Sequence, residues 1–345
     1  MQLGARFFPL FLMLFSCICF GLGRAEGWQE AGTPKKEFRA ALLYDIGGKF
    51  DRSFNESAWN GAEAFRKETG FSYRDFEPTS EIQYEQALRR YARRGYDAII
   101  VVGFGYSVAL NNVASEFPEI PFTAIDAVLS LPNVRSVTFK EHEGSFLAGV
   151  AAALHSETGS VGFLGGMKIP LIRRFEEGYR QGVHHIDPAI TVISNYIGTT
   201  PSAWNDPIKA ADLARGQYSR GVDVIYHAAG PSGLGLIQAA KDTKNYAIGV
   251  DSNQNMIAPG HVLTSMLKRV DTGVYTALKD ALNGRWEPGI VTFGLREEGV
   301  ALAVDEFNQS LITAKIGDAI DKAKEDIVAG RIVVRDALTD GGDSD

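Results

Sequence analysis

Two stretches of this chain read alike: Arg94-Gly-Tyr-Asp-Ala-Ile-Ile-Val-Val-Gly103 and Arg220-Gly-Val-Asp-Val-Ile-Tyr-His-Ala-Ala-Gly230. Each is an Arg-Gly-x-Asp turn that runs into a continuous apolar segment ending in glycine. Such a segment, short and without polar alternation, is the pattern of a strand buried on both faces in a parallel sheet. In each half a second strand follows and ends on aspartate, Phe-Thr-Ala-Ile-Asp126 and Tyr-Ala-Ile-Gly-Val-Asp251. Each half also opens on a strand running into a double glycine, Gly47-Gly48 and Gly165-Gly166, ahead of an aromatic-bearing helix. Three matches in the same order predict two similar α/β lobes.

The rest of the chain extends this pattern. Strands are expected at residues 39–45, 97–103, 121–126, 134–140, 160–165, 191–197, 222–229, 246–251 and 261–267. Helical periodicity fills most of the gaps, for example over 84–94, 144–155, 172–184 and 206–218. Alternation of this kind predicts parallel sheets flanked by helices. Ser53 and Glu56 have the spacing of a capping box at a helix start, with Ala58, Ala62 and Phe65 on one face. Ligands of open parallel sheets sit beyond the carboxyl ends of the strands, so two facing lobes place both sets of ends on one cleft. The segment order has the chain crossing between lobes more than once. Lobe one takes 38–140 plus about 268–290, and lobe two takes 141–267 plus about 291–335. Residues 336–345 read as an acidic, solvated tail.

A net charge of −7 over 345 residues gives no basic field for nucleic acid. Residues 1–25 are an export signal: Arg6, an apolar run over 7–22, then the small-x-small site Gly23-Arg24-Ala25. Residues 26–37 are a short linker. Cleavage after Ala25 leaves the protein in the periplasm. The alternatives are an uncleaved anchor, or lipid attachment at Cys17 in Leu14-Phe15-Ser16-Cys17. Cys17 and Cys19 both lie in the signal, so the remaining chain has neither a disulfide nor a thiol nucleophile.

The densest polar stretch is Asp45-Ile-Gly-Gly-Lys-Phe-Asp-Arg-Ser-Phe-Asn55, between a strand end and a helix start where backbone N–H groups point outward. Asp45 can accept hydrogen bonds there, and Asn55 can donate and accept. Phe54 is either a ligand wall or a staple to the core. Asp126 and Asp251 suit vicinal hydroxyls of a sugar or ribose. As a catalytic pair they would suit glycoside hydrolysis, but separate mobile lobes are a poor frame for fixed acid–base geometry. Lys268 can reach the cleft as a donor. Phe175 and Trp204 can stack on a planar ring, with core packing the alternative. Gly230, in Gly-Pro-Ser-Gly-Leu-Gly235, reads as a tight turn that lets backbone approach a ligand. The six histidines show no metal-ligand spacing, and Ser232 lies in no nucleophile elbow. No metal, cofactor or enzymatic activity is expected.

With these residues in view, the chain resembles the BMP (basic membrane protein) family of nucleoside-binding receptors of ABC importers. The resemblance spans residues 38–330 and is carried by DIGGKFDRSFNESAWNGAEAF, FTAIDAV, FKEHEGSFLAG, GFLGGMKIPLIRRFEEGY, AWNDP, AAGPSGLG, GVDSNQN and TSMLKRVD. It implies two Rossmann-like lobes of the type I periplasmic-binding-protein fold, closing by hinge motion on a nucleoside, most simply a purine. It makes Phe54 one wall of the base sandwich, and Asn55 and Asp126 base or ribose ligands with Asp45 close by. It puts Asp251 and Lys268 on the ribose hydroxyls and Phe175 in the second lobe. The second stacking residue is Trp204, with Tyr226 and His227 in reserve. The implied partner is the membrane permease, and the receptor is a monomer. A sugar or signal-molecule receptor and a secreted nucleoside hydrolase are the alternatives. A transcription regulator of this fold would carry a helix-turn-helix where the export signal stands.

Overall fold

A computed structural model describes residues 37–339. The export signal, Cys17, the linker up to residue 36 and the tail beyond 339 lie outside the described residues. The first five strands are β1 (Ala40–Leu43), β2 (Tyr73–Phe76), β3 (Ala98–Val102), β4 (Phe122–Ile125) and β5 (Val134–Phe139). The next five are β6 (Ser160–Met167), β7 (Thr191–Gly198), β8 (Val224–Ala228), β9 (Tyr246–Asp251) and β10 (Val262–Lys268). β11 (Gly289–Phe293) and β12 (Val300–Leu302) complete two sheets, ordered β11-β5-β4-β3-β1-β2 and β12-β10-β9-β8-β6-β7. The strand orders are the same in both halves, and every pairing is parallel except that of β12 with β10.

The α/β class with two parallel-dominated sheets agrees with the sequence reading. β1 and β3 (Ala-Ala-Leu-Leu and Ala-Ile-Ile-Val-Val) are buried along their whole length, because helices cover both faces of the sheet. The chain leaves the first sheet after β5, returns after β10 and leaves again after β11. The last passage follows Phe293, a few residues later than the pattern suggested, because Gly289–Phe293 pairs with β5. The sequence reading placed no strand at the short edge strands β2, β11 and β12, although β11 (Gly-Ile-Val-Thr-Phe) is rich in β-branched residues. In β2 (Tyr-Arg-Asp-Phe) no residue is fully buried, so it lacks the apolar run that marks the central strands.

The duplication reaches backbone conformation. Asp126 and Asp251, closing β4 and β9, both have φ 64°, a left-handed value that aspartate tolerates better than most residues. One expected match fails. Gly47 and Gly48 do form a left-handed turn after β1, but Gly165 and Gly166 lie inside β6, where their missing side chains make room for Tyr196 and Trp204.

Helices α1 (Phe54–Thr69), α2 (Ile82–Ala92) and α3 (Ser107–Glu116) cover the first sheet. The helices α4 (Glu141–His155), α5 (Pro170–Ile186), α6 (Pro207–Tyr218) and α7 (Gly233–Thr243) serve the second. α8 (Val270–Leu282) packs back on α1, and α9 (Ala314–Val328) packs on α4. α4 and α5 touch backbone to backbone: a Cβ on Gly182 would lie 1.9 Å from the Phe146 carbonyl oxygen. One buried cluster includes Leu42, Ile100 and Val137 from the first sheet and Phe163, Ile248 and Val250 from the second.

Two local expectations are corrected. Ser53 does not cap α1 with its side chain. The cap is Asp51, whose carboxylate accepts from the N–H groups of Ser53 (2.8 Å), Asn55 (2.9 Å) and Glu56 (3.0 Å). Asp336 does not begin a solvated tail, since its two carboxylate oxygens accept from Arg174 Nε and Nη2, each at 2.8 Å. Among the described residues no helix is long and apolar enough to cross a membrane.

Candidate functional site: the cleft between the sheets

The carboxyl ends of both sets of strands face one cavity of about 620 Å³, counting its open mouth. Asp45, Phe54, Asn55, Asp126, Phe175, Trp204, Gly230, Asp251 and Lys268, all singled out from the sequence, line it together. Tyr226 and His227 do not. Tyr226 is fully buried, packed on Phe163 and Tyr179 with its hydroxyl 3.2 Å from Ser145 Oγ. His227 is buried against Gln254 Oε1 at 2.9 Å. As successive residues of β8 they point to opposite faces of the sheet, Tyr226 toward Phe163 and Tyr179 and His227 toward Gly233 and Gln254, and neither reaches the cavity.

The apolar walls come from both lobes. Phe54 is the first residue of α1, and Phe175 lies one turn into α5. Trp204 sits in a short turn (Pro201–Asn205) before α6, with its ring over Gly166. Phe104, which the sequence reading passed over, meets Trp204 edge-on across the cleft at 6.2 Å between centroids. A Cβ on Gly166 would lie 2.2 Å from Trp204 Cζ3. Gly166→Ala is therefore expected to push the indole aside at a cost of about 1–3 kcal/mol of stability. Denaturant melts read that cost, and a change in emission that disappears in a Trp204→Phe background reads the displacement. An unchanged emission spectrum would mean that the ring has not moved.

The polar floor is a chain of buried charges. Lys268, 2% exposed at the end of β10, donates to Asp126 Oδ2, and its ammonium lies 2.9 Å from Glu141 Oε1. It also stands 5.3, 5.2 and 5.6 Å from the rings of Phe54, Phe139 and Phe175. Burial opposes its charge, but Asp126, Glu141 and Asp251 together hold its pKa above the usual lysine value. Burial likewise raises the carboxyls of Asp126 and Asp251, with Lys268 pulling the other way. Asp126 Oδ1 is buried and has no partner. A buried acceptor left unmade costs about 1–3 kcal/mol, which a ligand donor can recover.

Other groups hold the first lobe's loop in shape. Asn55 Oδ1 accepts from Asp45 N–H at 3.1 Å, and its Nδ2 donates to the carbonyls of Asp45 and Gly48 at 3.1 Å each. Its donors are thus spent on the 45–48 turn, so its part is to position that turn, with only an Oδ1 lone pair left over. Asp45 accepts from the Tyr84 hydroxyl and from Ile46 N–H, and burial pushes its carboxyl up to about 6. Burial raises Asp51 to about 7 against the pull of its three N–H donors.

The lobes are clasped. Ser53 Oγ donates to Asp251 Oδ2 at 2.6 Å, Ser252 Oγ to the Ser53 carbonyl at 2.7 Å, and Gln254 Nε2 to the Arg52 carbonyl at 3.0 Å. Arg52 is held at φ 58° within this clasp. Glu141 and Asp51 were not found from the sequence. Asp51 carried a usable signal, an aspartate just before a helix start, which the Ser53–Glu56 spacing overshadowed. Glu141 carried none, since a glutamate at the head of an apolar helix reads as a solvated cap. Among the described residues no group of histidine, cysteine and carboxylate side chains has metal-binding geometry.

Two like lobes with a clasped, aromatic-walled cleft at their strand ends define a solute receptor of the type I periplasmic-binding-protein class. A family model described as ABC transporter substrate-binding protein PnrA-like (Bmp) matches residues 39–337, and the chain belongs to that family. The ABC transporter nucleoside-binding protein BmpA of Lactococcus lactis subsp. cremoris is 35% identical over 329 residues, 88% of this chain and 91% of the relative. An uncharacterized lipoprotein of Pyrococcus abyssi is 32% identical over 315 residues, 87% of this chain and 76% of the relative. Among solved structures, an ABC transporter system solute-binding protein from Aeropyrum pernix K1 superposes with a TM-score of 0.79 at 30% identity, covering 86% of this chain and 94% of that one. The family is one of substrate-binding proteins rather than enzymes.

Proposed function

We propose that this receptor binds a nucleoside, most simply a purine nucleoside, in the closed cleft and hands it to the membrane permease of an ABC importer. The observation that carries the reading is the unpaired Asp126 Oδ1, buried in a cavity whose other walls are the rings of Phe54, Phe104, Phe175 and Trp204. An aromatic slot takes a planar base, and a carboxylate with one free lone-pair edge takes the hydroxyls of its ribose. Lys268 neutralises Asp126 and is too deep to be released to solvent. Its role is to keep the carboxylates ionised as acceptors, with the ribose within its reach. The name of the Lactococcus lactis relative supports the same ligand class.

Ligand-induced closure exchanges exposed cleft for buried cleft and so shifts the population toward the clasped form. The clasped form is the one that docks on the permease. The receptor works outside the cytoplasmic membrane as a monomer, released after Ala25 or tethered at Cys17. The lipoprotein relative bears on that choice, and mass analysis of the exported protein decides it. The family is one of substrate-binding proteins, so prolonged incubation is expected to return the nucleoside intact. Release of free base would place the protein among hydrolases instead. Competition separates the nucleoside from a sugar: bound nucleoside is expected to resist excess free ribose and excess free base. Displacement by ribose alone would make this a sugar receptor.

A further inference from the structure

The C-terminal segment after α9 reaches back to the place where the chain passes between the sheets. Arg335 N–H donates to Gln181 Oε1 at 2.8 Å, and its carbonyl accepts from Gln181 Nε2 at 3.0 Å. Val334 is buried beside this contact, and Asp336 takes the fork of Arg174. Arg174 and Gln181 belong to α5, whose first turns also carry Leu171, Ile172 and Phe175 into the cleft.

Arg174 does more than hold the segment. Its Nη1 donates to the Phe139 carbonyl at 2.8 Å and to Glu141 Oε2 at 2.6 Å, and Nη2 lies 3.3 Å from His142 Nδ1. Phe139 and Glu141 flank the first passage from sheet to sheet, and Lys140 N–H there donates to the carbonyl of Phe293, the start of the last passage, at 2.9 Å. The other oxygen of Glu141 faces Lys268, which ends β10 at the second passage. Charges therefore alternate without a break through Asp336, Arg174, Glu141, Lys268 and Asp126. A guanidinium is planar, so a two-point grip by Asp336 on Nε and Nη2 fixes where Nη1 points.

We propose that Asp336 and Arg174 are positioning residues for the cleft: the C-terminal segment orients Arg174, Arg174 holds Glu141 and the Phe139 carbonyl, and Glu141 sets where Lys268 stands against Asp126. Ligand affinity and the stiffness of the hinge are thus controlled from the far end of the chain. Removing the Asp336 charge frees Arg174 to draw Glu141 toward itself. Lys268 then leans on Asp126 alone. The groups facing Asp126 are Lys268, Glu141 and Asp251, with Arg174 behind Glu141. Loss of the Asp336 charge leaves Arg174 less neutralised behind Glu141, and that positive charge favours ionised Asp126, which moves the acid limb of ligand binding to lower pH.

The test compares full-length wild type, Asp336→Asn, Asp336→Glu and Val113→Ala, the last a core truncation in α3 chosen to lose stability away from the hinge. Two quantities are read: amide exchange of the ligand-free proteins over residues 138–143 and 267–270, and adenosine affinity from pH 4.5 to 8. For Asp336→Asn the expected results are faster exchange in both segments, affinity weakened about 10-fold at neutral pH, and an acid limb displaced downward. Asp336→Glu is expected to recover most of the affinity, and Val113→Ala to change neither quantity. The proposal is overturned if Asp336→Asn loses stability but matches Val113→Ala in exchange and in affinity. The affinity arm rests on the nucleoside reading of the cleft, while the exchange arm does not. Absence of adenosine binding by wild type would sink that reading and leave the hinge proposal to stand or fall on exchange.

Discussion

Lys268→Met is expected to lower the unfolding free energy by about 3–5 kcal/mol, the usual cost of breaking a buried ion pair by removing one partner. Methionine keeps the length of the stem, so the loss is one of charge more than of volume. Asp126, Glu141 and Asp251 would then face one another with only Arg174 nearby. The carboxyls of Asp126 and Asp251 are already raised by burial, and losing the ammonium raises them further. A carboxyl with a folded pKa above its unfolded value binds more protons in the native state, so stability increases as pH falls through that interval. The interval begins near the ordinary carboxylate value of about 4 and ends at the raised folded values. The stability deficit of Lys268→Met relative to wild type should therefore shrink between pH 8 and pH 5. Urea melts at both pH values measure this, and a deficit that is equal or larger at pH 5 would rule out the charge account. Adding Asp126→Asn to Lys268→Met should restore part of the loss, because one of the stranded charges goes with it. Ligand binding in the single variant should fall at least about 100-fold, a change of about 2.7 kcal/mol.

The second large effect is on the apolar side of the cleft. Trp204→Ala and Phe54→Ala are each expected to weaken nucleoside binding about 30-fold, near 2 kcal/mol, typical of truncating a buried aromatic anchor. The two losses should be less than additive, since one base would be held between both rings. Trp204 has no contact with Lys268, so the pH profile of the affinity left in Trp204→Ala should match that of wild type, whereas Phe54→Ala also removes a ring 5.3 Å from the Lys268 ammonium. This separates the walls from the floor: aromatic variants lower affinity at every pH, whereas Asp126→Asn removes the acid limb itself. Titration of each variant by calorimetry across the same pH range gives the comparison. A Trp204→Ala protein that binds as tightly as wild type would remove this residue from the site and leave the base against Phe54 and Phe175.

Much of this arrangement was readable from residue order. Asp126 and Asp251 were marked by their place after equivalent strands, and the structure gives both the same left-handed backbone at the cleft. Central strands such as Ala98–Val102 were visible because burial on both faces removes every polar residue. Edge strands were not, since Tyr73–Phe76 has one neighbour and a solvated side. The double glycine in β6 shows the limit of pattern matching. The same dipeptide makes a turn at Gly47-Gly48, but leaves space for rings at Gly165-Gly166. What sequence order hides most is partnership across long separations. Ser53 spends its hydroxyl on Asp251 rather than on its own helix, and Asp336 closes on Arg174 rather than trailing into solvent.

The clasped cleft ties these observations to transport. Asp251 holds Ser53, and Gln254, held in turn by His227, reaches the Arg52 carbonyl, so the first lobe's loop is gripped from the second. Opening the cleft breaks these few hydrogen bonds, each worth about 0.5–1.5 kcal/mol net. In the function proposed above, a ligand that fills the slot and satisfies Asp126 Oδ1 would give the closed form its advantage, and release would reverse that.

Calorimetric titration of the ligand-stripped protein with adenosine, guanosine, inosine, uridine and cytidine tests the central claim most directly. The account predicts saturable one-site binding, tighter for the purine nucleosides than for the pyrimidine ones and lost in Asp126→Ala. Absence of both heat and thermal stabilisation with all five nucleosides would contradict it.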